Sequence, residues 1–262
     1  DFYTQAAESE RLPLGPEAWE LLERVAVKRL AWFERAGFTG YPLTWRIERA
    51  RILGDLRGLL LDEVGHADDG FLPTWFEVRF GMRRRADVAE ESDVSRERPA
   101  ELKLAGGKTV RFRGRIDRID VNKARGACRV LDYKTGGAAR KEDGRLYGGT
   151  ALQLPVYFLA AAQLFEGLKP DAAAYYFCTR RGKYTRVSFT ERHWQERADD
   201  LRRVVGTILD GIRSGRFFRV PEVGLCRFCD FSPFCGSTPM TRIKWAADAS
   251  CTGPFKIMSE VS

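Results

Sequence analysis

The stretch RVLDYKTGG (Arg129–Gly137) starts apolar and ends on an acid, an aromatic, a lysine and a glycine-rich exit. Asp132 and Lys134 are two residues apart, so on a β-strand they share one face and Tyr133 takes the other. A carboxylate and an ammonium so placed are either an exposed ion pair, worth at most about 1 kcal/mol, or half of a metal-dependent phosphodiester-cleaving site. Upstream lies GRIDRID (Gly114–Asp120), which brings Asp117. The turn between the two segments is centred near residue 124, and folding the hairpin there sets Asp117 nearly opposite Asp132. Directly opposed side chains have Cβ atoms about 4.5–5.5 Å apart. Two carboxylates that close repel each other unless a hard divalent cation lies between them. Mg²⁺ or Mn²⁺ would then take oxygens from Asp117, Asp132 and a backbone carbonyl such as that of Tyr133. Lys134, on the same face, would orient or deprotonate the attacking water and offset charge on phosphorus. Arg113 and Arg115, placed on the face of Asp117, read either as holders of a phosphate backbone or as solvated strand positions.

The whole chain is compatible with such a site. It has 262 residues, 44% hydrophobic and 31% charged, enough for one large core or two modest domains. The formal net charge is +8, with arginine outnumbering lysine. That excess fits a polyanionic partner and fits equally a well-solvated basic surface. No stretch approaches the roughly 18–20 apolar residues of a membrane span. The first residues, DFYTQAAESERLPLG, lack the basic and apolar regions of a signal peptide. The expectation is a soluble cytoplasmic protein, and the missing initiator methionine reads as a fragment or a subunit piece.

Along the chain, residues 16–36 read as an amphipathic helix opened by Pro16 and stopped by Gly37, and 44–65 as a second, arginine-rich helix. TWFEVRFG (74–81) alternates like a strand, and the charged run 83–99 reads as a loop. AELKL, KTVRFRGRIDRID and CRVLDYKTG follow as a three-segment hairpin meander. After a glycine-rich loop (136–149) come a helix over about 150–166, two strands (AAAYYFC and YTRVSF) and a long helix ended by Gly215. AGGKT (105–109) ends like a phosphate-binding loop. Leu102 stands where that motif needs its first glycine, and a strand follows instead of a helix, so it reads as a hairpin turn.

GRIDRID, VLDYKTG and LQLPVYFLAA together resemble the PD-(D/E)xK nuclease superfamily, most nearly the RecB-like nucleases and the nuclease domain of AddB-type helicase–nuclease subunits. Members supply a first Asp, then D-x-K, then a helix bearing Q-x-x-x-Y. Here these are Asp117, Asp132 with Lys134, and Gln153 with Tyr157, the last two on one helix face. The resemblance spans about residues 70–236. It implies an α/β, restriction-endonuclease-like core, with a mixed central sheet flanked by helices and a C-terminal cysteine-rich segment. It also implies a Mg²⁺-dependent deoxyribonuclease of exonuclease type, acting on single-stranded DNA delivered by a helicase partner in double-strand-break end processing and recombinational repair. TWFEVRFG is similar to the strand before the meander, so Glu77 is either a site residue or a structural acid. The expected divisions are a helical region (1–69), the nuclease core (70–215) and the cysteine-rich tail (216–262).

CRFCDFSPFC gives C-x2-C-x5-C through Cys226, Cys229 and Cys235. That spacing can wrap an iron–sulfur cluster or Zn²⁺, and resembles three ligands of the [4Fe–4S] cluster in AddB-type nucleases. Phe228, Phe231 and Phe234 would shield it from water. The fourth ligand is not identified: Cys128 and Cys178 fall on expected strands as core residues, and Cys251 lies outside the pattern. The family's helical metal-site histidine is also not visible, since His66 and His193 read as ordinary residues. Two rivals remain: an inactive nuclease fold that binds DNA and carries a structural iron–sulfur or zinc site, and a zinc-ribbon DNA-binding protein with an incidental acidic hairpin.

Overall fold

The structure is a computed structural model that describes residues 2–9, 12–82, 94, 96–137, 144–217, 226, 229–235 and 238–260. The charged run expected as a loop over 83–99 lies largely outside these residues, as does part of the 136–149 loop. The chain divides into two compact units, Asp1–Glu101 with Arg111–Asp143 and Leu154–Glu191, and Leu102–Val110 with Gly144–Gln153 and Arg192–Ser262.

The first unit is built on a five-stranded sheet. Its strands are β1 (Leu72–Phe80), β4 (Gly114–Asn122), β5 (Ala127–Lys134), β6 (Lys169–Phe177) and β7 (Arg186–Thr190), and they lie side by side in that order. β5 and β6 run parallel and the other neighbours antiparallel, the mixed sheet expected from the sequence. The parallel step needs a crossover, supplied by α4 (Gln153–Leu164). Alternation assigns the faces. Ile116, Ile119 and Val130 lie wholly buried, and α4 covers their side, where Phe158 packs edge-on against Phe189 at 5.9 Å. The opposite face carries Arg118, Tyr133 and Tyr176 and is covered by α1 (Phe2–Glu8) and α3 (Pro42–Gly65), which send down Tyr3, Asp62 and Glu63. Between them α2 (Trp19–Arg35) runs to a sharp turn at Gly37, where the backbone is left-handed (φ 76°) as glycine permits.

The meander differs from expectation. KTVRFRGRIDRID is two strands, not one: β3 (Thr109–Phe112) pairs with β2 (Ala100–Lys103) in a separate two-stranded sheet, and only β4 joins the main sheet. The break at Arg113 has a steric cause. A Cβ on Gly81 would stand 2.9 Å from Cβ of Arg113, and one on Gly114 would stand 2.9 Å from the Phe80 ring. The chains cross too closely there to continue one ladder. β2 is tied to α4 by a reciprocal pair, in which the Glu101 N–H donates to Gln163 Oε1 and Gln163 Nε2 donates to the Glu101 carbonyl, both at 2.8 Å.

In the second unit, α5 (Glu191–Arg213) buries His193, Leu201, Val204 and Val205. Gly144 lies flat against the His193 ring, where any Cβ would approach to 2.7 Å. Two further helices, Thr238–Ala247 and Ala249–Ser259, end the described chain. No helix among the described residues is long and apolar enough to cross a membrane.

Candidate active site

β4 and β5 pair from Asn122↔Ala127 to Arg118↔Leu131. One step further along that register sets Asp117 opposite Asp132. Here the ladder gives way to a side chain: the Tyr133 N–H donates to Asp117 Oδ2 at 2.9 Å. β5 stays paired on its other edge, with Asp132 beside Tyr175 and Lys134 beside Phe177. In a strand, a residue's N–H and C=O point to the same side and successive residues alternate. The Lys134 carbonyl accepts from the Cys178 N–H on the β6 side, so the Tyr133 carbonyl faces the β4 side with its own N–H, next to Asp117.

Asp132 is only 4% exposed and forms an ion pair with Lys134 through Oδ2. The Lys134 ammonium lies 4.9 Å from the centroid of the Tyr175 ring, which holds it on the carboxylate side of the strand. Asp117 is half-buried and opens into a cleft of about 410 Å³, lined by Tyr3, Phe76, Glu77, Asp117 and Tyr133. Glu77 has a left-handed backbone (φ 52°) inside β1, uncommon for a non-glycine residue and a form of strain that collects at functional sites. Its carboxylate pairs with Arg115 Nε at 2.9 Å. Both side chains are more than half exposed, so the pair adds little stability. Arg113 lies in the break between β3 and β4, so only Arg115 shares a strand face with Asp117.

Tyr157 is buried on α4, and its hydroxyl donates to the Arg115 carbonyl at 2.7 Å. That bond ties the helix to β4 two residues before Asp117. Gln153 is the first residue of the same helix, one turn earlier.

Sequence comparison accounts for the whole arrangement: residues 2–236 match the family model described as the PD-(D/E)XK nuclease superfamily. The chain belongs to that superfamily. Among curated PD-(D/E)XK relatives, the B-type subunit of an ATP-dependent helicase/deoxyribonuclease from Symbiobacterium thermophilum is 38% identical over 117 residues, 42% of this chain and 9% of that protein. Its counterpart of the same name from Moorella thermoacetica is 35% identical over 111 residues, 41% of this chain and 9% of its own length. The Gene 69 protein of Mycobacterium phage L5 is 29% identical over 158 residues, 56% of this chain and 46% of the phage protein. The match thus covers under a tenth of the helicase/deoxyribonuclease relatives and just under half of the phage protein.

The cysteines of this PD-(D/E)XK chain do not assemble as the sequence suggested. Cys226 and Cys235 are half-buried, Cys229 is exposed, and all three are free thiols. The Cys229 N–H reaches the Cys226 carbonyl at 3.4 Å, so the C-x2-C turn forms. Yet among the described residues no three His, Cys, Asp or Glu side chains gather to hold a metal ion. Phe231 and Phe234 are 70% and 87% exposed and shield nothing, while Phe228 and the Cys251 side chain lie outside what the structure describes. Cys128 is buried in β5, where burial pushes its thiol up to about 12, and burial also raises Cys178. Brief alkylation of the native protein at pH 8 should therefore modify Cys229 and spare Cys128, because the thiolate is the reactive form. Peptide mass mapping reads the difference, and early labelling of Cys128 would contradict its placement.

Sequence reasoning missed Tyr3 and Phe76, stacked at 5.2 Å to form one cleft wall, and Arg118, the buried cation behind it. Arg118 and Asp120 stand two apart in GRIDRID, an acid–base pair on one strand face. That spacing was the available signal.

Proposed function

We propose that this chain is the divalent-cation-dependent nuclease part of a DNA-processing protein, cutting single strands supplied by a helicase during end resection and repair. The observation that supports it is the pair Asp117 and Asp132, set opposite each other where β4 and β5 part, with the Lys134 ammonium held against one of them. The donors suit the ion. Two carboxylates and the Tyr133 carbonyl are hard oxygens, and opposed carboxylates at a half-closed site are stabilised by a shared Mg²⁺ or Mn²⁺. Such an ion supplies Lewis-acid polarisation of the scissile phosphate. The protein's own groups do the rest. The Tyr133 N–H fixes the rotamer of Asp117. Asp132 and the Tyr175 ring aim Lys134, whose ammonium offsets charge on the phosphoryl oxygens or orients the attacking water. Tyr157 acts as a positioning residue, holding β4 through the Arg115 carbonyl. Gln153, one turn away, is placed to contact the strand being cut. An iron–sulfur role for Cys226, Cys229 and Cys235 has no gathered ligand set beside it and forms no part of this reading.

The test uses an end-labelled single-stranded oligonucleotide and a blunt duplex of the same sequence, each with Mg²⁺ or EDTA. Stepwise shortening of the single strand only with the cation is expected. Lys134→Ala should lower that rate by about 10²-fold or more, the scale of losing one charge-stabilising donor. Binding of the strand without hydrolysis at any divalent-cation concentration would make the chain a binding module instead.

A further inference from the structure

We propose that a second cleft in the first unit, between α1 and α2, binds an unpaired nucleic-acid strand and leads it to the acidic cleft. The destination rests on the nuclease reading above; the binding chemistry does not. This cleft has a volume of about 410 Å³ and is lined by Arg24, Lys28, Arg29, Arg35, Trp32 and Gln5, and by no carboxylate. Four cations around one concavity make a site for a polyanion, and three of them carry the planar fork that suits phosphate. Their spacing is helical: 24, 28, 32 and 35 recur about once per turn, so the charges form a stripe along α2 rather than a single point.

Trp32 distinguishes a nucleic-acid strand from other polyanions. A tryptophan lining a cationic cleft offers a flat face between charges, and its ring is 48% exposed. It is braced on edge by Phe33, 5.0 Å away at 82°, and by Phe38 at 6.1 Å. Phe38 and Tyr41, 71% and 73% exposed, continue the aromatic surface round the turn into α3. Cations interleaved with exposed rings match the recognition of unpaired strands, in which phosphates meet the charges and bases stack on the rings. A duplex would hide its base faces from those rings.

The geometry also links the two clefts. Gln5 lines the basic cleft and Tyr3 the acidic one, and both belong to α1. Two residues apart on a helix point to nearly opposite sides, so α1 is a partition one helix thick, about 10–12 Å with side chains. A strand held on Arg24, Lys28 and Trp32 crosses that partition within a few nucleotides and arrives beside Asp117.

The experiment is anisotropy of a fluorescein-labelled oligo-dT with the full chain in EDTA, so that no cleavage intervenes, across a salt series. Arg24→Glu with Lys28→Glu should weaken binding at least tenfold and reduce the log–log salt slope by about 1.4, two phosphate contacts on a single strand. Trp32→Ala should weaken it about fivefold or more and leave the slope unchanged. Irradiation of an oligomer carrying 5-iododeoxyuridine should cross-link to the peptide containing Trp32. Thermal melts check folding, and Arg24→Gln with Lys28→Gln gives a milder pair if the reversal is not tolerated. Wild-type affinity and slope in the folded charge and Trp32 variants would overturn the proposal. So would a double variant that loses only binding to poly-glutamate, which would point to an acidic protein partner. The two readings fail separately. Normal binding in these variants removes the track and leaves the nuclease site, whereas absence of cleavage by the wild type removes the nuclease and leaves the binding constants standing.

Discussion

Asp132→Asn is expected to abolish cation-dependent DNA cleavage, a loss on the order of 10³-fold or more, while the protein stays folded. The substitution keeps shape and removes charge. Asp132 is 4% exposed, so its carboxylate cannot be replaced by a mobile neighbour, and the amide is a poor ligand for a hard cation. Lys134, whose side chain is 37% exposed, can turn toward water when its partner is neutralised. Asp117 then no longer faces a second negative charge. The cation-free melting temperature should therefore hold steady or rise slightly, because a like-charge repulsion has been removed. Wild-type protein should melt higher in millimolar Mg²⁺, since a ligand that binds only the folded state stabilises it by mass action. In Asp132→Asn that increment should vanish together with the activity. Gel assays of a labelled strand and a thermal melt with and without Mg²⁺ check both. Cleavage at the wild-type rate would remove the two-carboxylate mechanism. Lost cleavage with an unchanged Mg²⁺ increment would place the ion elsewhere.

The elements of this site were legible because their signals are local. Alternation in RVLDYKTGG and GRIDRID, with a turn at residues 123–126, sets Asp117 against Asp132 by counting alone, and the ladder keeps that register. The helix bearing Gln153 and Tyr157 follows from its apolar run. What counting does not reach is contact between distant segments. Nothing local in KTVRFRGRIDRID marks Arg113 as a break, since the break comes from Gly81 and Phe80, some thirty residues earlier, pressing on the backbone. The left-handed glutamate at 77 is invisible for the same reason: an alternating strand predicts extended φ throughout. The C-x2-C-x5-C spacing shows the converse. A one-dimensional motif can be present while its thiols remain ungathered, because ligand assembly depends on the path of the chain between and beyond them.

Arg118 is the extreme case of a residue whose role lies in contacts that spacing cannot show, and Arg118→Met is expected to destabilise the fold by about 3–5 kcal/mol at pH 8. Its side chain is 3% exposed, yet all five N–H donors are used. Nε and Nη2 clamp Asp120 at 2.5 and 2.9 Å, and Nη2 also reaches Glu63 at 2.8 Å. Nη1 donates to the hydroxyls of Tyr3 at 2.8 Å and Tyr133 at 3.0 Å. One guanidinium thus joins α1, α3, β4 and β5 directly behind Asp117 and Asp132, which are adjacent along the chain to Arg118 and Tyr133. Methionine fills much of the volume but leaves two buried carboxylates facing each other. The pH dependence follows from Asp120. Burial raises its carboxyl, opposed chiefly by Arg118, so deleting the cation raises it further. A group whose folded pKa lies above its unfolded value favours the folded state more as pH falls. The deficit of Arg118→Met relative to wild type should therefore shrink between pH 8 and pH 5.5, as the stranded carboxyls take up protons. Urea unfolding at the two pH values measures it. Adding Asp120→Leu to Arg118→Met should recover part of the loss, since removing both members of a buried pair is less costly than stranding one. A deficit below about 1 kcal/mol, or one that grows on acidification, would show that this network does not hold the helices to the strands of the site.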